Sequence, residues 1–193
     1  NRGVVGPLLV TRLHKRGGWK YYCPGGTSCS GDEVPNGWVA VAMVAVMHYW
    51  QYPVVGGGDN SCYCGGFGTQ SADFGNAVYD YAGMGAATSA TDAAAFLLWH
   101  AGVAVNMDYA CDGSGSYIGD DNPSVEYALK NNFLFKSSLY RSDRNDYSDA
   151  AWVEKLRNEV DSYHPFIYVG FNDEGGGHAW NCDGHLEEYF HMN

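Results

Sequence analysis

The chain has 193 residues, of which 46 % are apolar and only 17 % charged, enough hydrophobic mass for one domain with a real core. Glycine reaches 26 residues without a three-residue period and aromatics reach 15 %, which excludes collagen and disorder. The net charge is −11, and no Lys or Arg lies between Lys20 and Lys130, a stretch that holds 11 of the 22 acidic residues. A phosphate backbone or an anionic lipid surface finds no basic face there. We therefore expect no measurable affinity for DNA or RNA at physiological salt. Micromolar binding that weakens steeply with added salt in a titration would show the charge argument to be wrong.

Residues 1–37 read as mostly irregular, with Gly17-Gly18 and Gly25-Gly26 as breakers. The N-terminus, Asn-Arg-Gly-Val-Val-Gly-Pro, has neither a signal peptide's apolar region nor a Met, and reads as the start of a processed or trimmed chain. Trp38 to Trp50 reads as a helix capped near Asn36 and ended before Pro53. Its apolar run to Met47 is closed by His48, too short to span a bilayer, and no membrane partner is expected. Being apolar on every side, it should be the buried central helix. Val39, Val41 and Val44 support a buried strand instead, but the length and the Ala and Met content favour helix.

A Gly-rich loop is expected at 56–68, a short helix from Asp73 to Tyr81, and a helix from Thr91 to Ala101 with Thr91 as cap and Gly102 as stop. Val103 to Met107 reads as a strand, and Asn122-Pro123 as the start of a helix through Asn131. From Ser148 to Ser162 a helix places Trp152, Leu156 and Val160 on one stripe, with Val153 beside it. The pattern then turns to strands, Phe166 to Phe171, His178 to Asp183 and Glu188 to Met192, with a turn from Asn172 to Gly177. Helices first and an antiparallel sheet last argue for an α+β fold with segregated layers.

Six cysteines permit disulfides without requiring them. Cys62-Tyr-Cys64 lacks the spacing and the second pair of a zinc site, and in a strand His185 would leave the face shared by His178 and Cys182, so neither a metal nor another cofactor is expected. His178 follows three glycines and opens a strand after a tight turn, an accessible place for a base, although a lone histidine is more often polar surface. His48 and His100 sit on apolar helices and read as satisfied core or rim histidines. A thiol activated by His178 would sit best at a helix N-terminus, but the central helix begins Gly37-Trp38 with no thiol. Cys29 is a displaced candidate in a Ser/Gly loop without a helix dipole.

Several segments together carry a resemblance: Gly6-Pro7-Leu8-Leu9, Tyr22-Cys23-Pro24, Gly37-Trp38-Val39-Ala40-Val41-Ala42-Met43 running to Pro53, Val105-Asn106-Met107-Asp108-Tyr109, Ala128 to Phe133, and Gly176-Gly177-His178-Ala179 with Asp183-Gly184. In these the chain resembles the mature domain of the streptopain-type, papain-like bacterial cysteine peptidases nearly end to end. The resemblance implies a papain-like α+β fold, with a helical lobe around the buried central helix and an antiparallel sheet lobe. It implies one domain over 1–193, its lobes roughly 1–110 and 111–193, with the family's C-terminal part beyond Asn193 missing. It also implies a secreted, cell-surface or periplasmic bacterial endopeptidase that cleaves protein substrates by a Cys–His mechanism and is made with an inhibitory pro-domain. His178 matches the family's general base. Trp38 stands where the family has its nucleophilic Cys, and Lys15 is the loose match to its oxyanion Gln. Ser114 and Ser116 resemble the loop that binds substrate backbone, with an ordinary surface turn as the equal reading, and Gly176 and Gly177 should line the cleft or form a hairpin turn, or both.

An indole carries no ionisable nucleophile, so the sequence taken literally should be inactive. The alternative function is a non-catalytic pseudo-peptidase that binds peptides or a protein, and the chemical identity of residue 38 separates the two.

Overall fold

The structure, a computed structural model, describes residues 3–25, 29, 32–118, 123–173 and 176–193. The central helix forms as expected: α1 (Trp38–Trp50) buries every residue from Val39 to His48. Its valines are tolerated because burial on all sides outweighs their weak helix propensity. The cap is Gly37, not Asn36, and it makes no side-chain capping bond. The Asn36 side chain instead donates to the Trp19 carbonyl (2.7 Å) and accepts from Cys23 Sγ (2.9 Å), which fixes the chain entering the helix. Gln51 in the left-handed conformation ends α1, two residues before Pro53.

After β1 (Val4–Val5) and α1, the segment expected to be a loop is a hairpin, β2 (Asp59–Cys64) and β3 (Gly68–Asp73), paired from Asp59 opposite Asp73 to Cys64 opposite Gly68. Its outward face is polar but for Tyr63, and its inward face sets Asn60, Cys62 and Gln70 beside the buried Cys64 and Ala72, with the Asn60 amide donating to the Val103 carbonyl (2.7 Å). With only two small apolar side chains on that face, the strands carry a weak alternating signal. The helix expected from Asp73 is also corrected. Asp73 accepts from Asn76 N (3.1 Å) to make a turn, and the helix is only α2 (Tyr81–Met84), capped by Asp80 accepting from Gly83 N (2.8 Å).

Thr91 caps α3 (Asp92–Ala104) as expected, accepting from Ala94 N (3.2 Å). The helix passes through Gly102, which does not stop it; a Cβ at that position would overlap the Tyr109 hydroxyl, so its glycine serves close packing. The strand expected at Val103 to Met107 is therefore the last helical turn and its exit, with Asn106 at a φ of 47°. The next helix is α4 (Val125–Asn131), capped by Ser124, which accepts from Tyr127 N (3.1 Å); Asn122 lies outside the described residues. The helix expected from Ser148 is α5 (Asp149–Asp161), flanked by Ser148 and Ser162 as caps. Leu156 and Val160 are buried on its stripe, while Val153 is exposed.

Three strands follow: β4 (Phe166–Phe171), β5 (Gly177–Leu186) and β6 (Tyr189–Met192). β5 is the hub of the sheet. It pairs antiparallel with β4 from Gly177 opposite Phe171 to Cys182 opposite Phe166, with β6, and with β1 through Val5 opposite His185. The first strand thus crosses the division expected near residue 110. Leu8 N and Leu9 N add to this by donating to the Asp183 carbonyl (2.9 Å) and carboxylate (2.8 Å). α1 packs against both β5 and α3. Asn181 of β5 donates to the Ala42 carbonyl (3.0 Å), which pins the sheet to the central helix.

The expected core histidines are both satisfied. His48 Nε2 lies 2.7 Å from the Gly85 carbonyl, and His100 Nδ1 lies 3.0 Å from the Tyr79 hydroxyl. Burial pushes the His100 pKa down to about 4 from an ordinary 6.5. Since the folded value is the lower one, the unfolded chain binds more protons between those limits, and stability is lost as pH falls from 6.5 to 4. The loss should be about 3 kcal/mol. Urea unfolding at pH 7 and pH 4.5 checks this, and a His100→Gln variant should show a flatter dependence than the parent.

Candidate active site

Gly37 has no room for a side chain, because a Cβ there would overlap the Met107 sulfur and stand 3.0 Å from the Ser114 carbonyl. The 108–115 loop is thereby seated on the start of α1. Asp108 and Gly115 exchange backbone bonds (2.7 and 3.1 Å), and Cys29–Cys111 is a disulfide bridging 82 residues of sequence. Ser114 Oγ donates to the Pro35 carbonyl (2.5 Å) and accepts from Ala110 N (3.3 Å), so this hydroxyl is engaged within the protein. Ser116 Oγ is buried with no partner among the described residues.

Trp38 is the first residue of α1, and its half-buried indole meets the His178 ring edge-on, with centroids 5.2 Å apart at 83°. His14 approaches the same indole at 5.9 Å, and Lys15 Nζ lies 5.0 Å from its ring centroid. Asn36 N donates to the Lys15 carbonyl (2.9 Å), which holds that residue beside the helix start. Trp38, Lys15 and His178, widely separated in sequence, are thus brought together. No acidic residue occupies the first turn of α1, so its positive end is not offset there.

His178, the second residue of β5, is exposed, and its ring lies 5.7 Å from that of Trp180. A cleft of about 270 Å³ opens beside it. Val41, Ala42 and Ala45 on one face of α1 form the floor with Leu13 and Ala179, while Trp38, Trp180, Thr11 and Asn193 also line it. Ser114, Ser116, Gly176 and Gly177 lie outside this lining. Gly176 takes part in a turn, donating to Asn172 Oδ1 (2.6 Å) while its carbonyl accepts from Asn172 N (2.9 Å); residues 174–175 are outside the described residues. Gly177 is in the β5 ladder opposite Phe171. Trp180 could have been found from sequence, since a strand puts it on the same face as His178. Thr11 and Leu13 lie in an irregular stretch that carries no such signal.

The sulfurs of the chain bear directly on the chemistry. Cys29, the displaced candidate, is consumed by the disulfide. Burial pushes the thiols of Cys23 and Cys182 up to about 12, and it also raises those of Cys62 and Cys64. All four stay protonated near neutrality, the opposite of an activated nucleophile. His185, the third member of the possible metal spacing, is held by Asp161 at 2.6 Å and by Arg157 at 3.3 Å. Among the described residues no group of three His, Cys, Asp or Glu side chains is placed to hold a metal.

With this geometry in hand, the Peptidase C10 family matches residues 17–193. The chain belongs to the Peptidase C10 family. This C10 chain is 30 % identical over 174 residues to the thiol protease/hemagglutinin PrtT of Porphyromonas gingivalis, covering 85 % of this chain and 19 % of that protein. It is 29 % identical over 185 residues to streptopain of Streptococcus pyogenes, covering 88 % and 45 %. The chain thus spans less than half the length of these relatives. Among solved structures, the active wild-type interpain A cysteine protease of Prevotella intermedia superposes with a TM-score of 0.84 at 30 % identity, covering 98 % of this chain and 81 % of that one. A prointerpain A fragment matches with a TM-score of 0.83 at 30 % identity over 98 % and 61 %. The α+β, papain-like fold expected from sequence is the fold of this cysteine-peptidase family.

Proposed function

We propose that this C10 chain is a peptide-binding relative of the streptopain-type endopeptidases, one that keeps the general-base histidine and the cleft but has lost the nucleophile. In this reading Trp38 occupies the nucleophile position, His178 is the family base, and Lys15 replaces the amide donor of the oxyanion hole. The observation that carries it is the Trp38 indole at the first position of α1, edge-on to His178 at 5.2 Å, where hydrolysis would need a thiolate. Residues 1–193 act as one domain, with lobes meeting at the cleft. Its ligands are protein or peptide segments, and its precursor's pro-domain occupies the same cleft. The protein works outside the bacterial cytoplasm, a reading supported by the Cys29–Cys111 disulfide, which persists in oxidising surroundings.

The test pairs binding with turnover. Short peptides should bind saturably by calorimetry and be recovered uncut. Thiol-dependent cleavage that His178→Ala abolishes would return endopeptidase activity to the chain as written.

A further inference from the structure

A second pocket, of about 320 Å³, opens between α2 and the start of α3 and shares no described lining residue with the cleft beside His178. Two exposed aspartates line it, Asp80 and Asp92, in a stretch, residues 21–129, that carries no Lys or Arg. Asp80 Oδ1 accepts from Gly83 N (2.8 Å) and Asp92 Oδ1 from the Tyr22 hydroxyl (2.8 Å), so each Oδ2 is without a partner among the described residues. Gly83 leaves the Asp80 carboxylate its room, since a Cβ there would overlap Oδ2. The positive end of α3 is met within the protein, by Thr91 Oγ1 accepting from Ala94 N (3.2 Å) and by Asp92 in the first turn. Phe96, one turn along α3 from Asp92, adds an aromatic wall, and Val78 an apolar one. Val78 is exposed and pairs antiparallel with Val55, also exposed, so the apolar surface continues past the rim. Carboxylates beside an aromatic ring suit a guanidinium, which takes hydrogen bonds to oxygen in its plane and stacks on a ring with its face. A free small amine would leave the valine pair bare, whereas a polypeptide covers it with the residue next to its arginine.

We propose that this pocket takes an arginine side chain of a partner polypeptide, its guanidinium against Phe96 in the field of Asp80 and Asp92, and an apolar neighbour of that arginine on Val55 and Val78. The test is calorimetry of the intact chain with three probes: acetyl-Ala-Arg-Val-Ala-amide, the same peptide with citrulline for arginine, and free agmatine. Citrulline keeps the shape and removes the charge, so binding in the cleft beside His178 is common to both peptides. The arginine peptide should bind about tenfold more tightly than the citrulline peptide, as expected of hydrogen bonds to a charged group. That gap should close in Asp80→Asn and in Asp92→Asn, whose amides can still accept from Gly83 and Tyr22. It should survive in Asp59→Asn, which removes one charge from the same acidic stretch outside the pocket. Equal binding of the two peptides, or none, would overturn the site, as would a gap that persists in both pocket variants. A gap lost equally in Asp59→Asn would show a general field and no pocket. Agmatine binding as tightly as the arginine peptide would overturn the polypeptide assignment, and displacement of that peptide by millimolar calcium chloride at constant ionic strength would give the carboxylates to a metal ion instead.

Discussion

Casein and fluorogenic peptides should remain intact after prolonged incubation with this chain under reducing conditions, and a thiol-directed epoxide should label nothing in the cleft. Hydrolysis by this route begins when the base takes a proton from sulfur and the thiolate attacks the carbonyl carbon. At the start of α1 His178 meets the indole of Trp38, whose N–H has no comparable acidity. The other cysteines offer no substitute, being oxidised at Cys29 and Cys111 and held protonated by burial elsewhere. Trp38→Cys places a sulfur at the positive end of α1, where a thiolate is favoured. Even so, it should restore only weak turnover. Lys15 does not copy a neutral amide donor, and loss of one oxyanion donor costs about a hundredfold or more. Adding Lys15→Gln to Trp38→Cys should then raise the rate above that of the single variant. Robust hydrolysis by the unmodified chain, lost in His178→Ala, is the result that would defeat this reading.

Reduction of the Cys29–Cys111 disulfide should lower stability more than any surface substitution. The bridge closes a loop across 82 residues of sequence, for which the chain-entropy account gives about 4.5 kcal/mol. In a chain of this size that corresponds to a fall in Tm of roughly 10 °C or more. Calorimetric scans with and without a phosphine reductant, and on Cys111→Ser, measure it directly. The loop carrying Cys111 also covers Gly37 through Ser114. Reduction should therefore loosen the entrance to α1 and weaken peptide binding before global unfolding begins. An unchanged Tm would mean that the loop is held by its own contacts, such as Ser114 to Pro35, and not by the bridge.

The sequence by itself determined the elements whose burial is one-sided or complete. α1 was legible because an uninterrupted apolar run has only the core to go to, and α5 because Leu156 and Val160 repeat at helical spacing between serine caps. β4 and β5 were legible from their apolar and aromatic content and from the glycine turn between them. The family motifs drew attention to His178 and residue 38. Local pattern did not disclose the β2–β3 hairpin, because its inward face carries only two small buried apolar side chains, Cys64 and Ala72, and the rest of its fixing comes from backbone pairing and from Asn60 reaching α3. Nor did it disclose why Gly102 stands inside a helix, since the reason is the hydroxyl of Tyr109 folded back against it. Only the tertiary structure decided that Lys15 and His178 meet around one indole, that Cys29 is spent on Cys111, and that the first strand closes on β5. Each of these is a contact between residues far apart in the chain. Periodicity reports how a segment divides its own surface between core and water, but says nothing about which distant segment arrives to cover it.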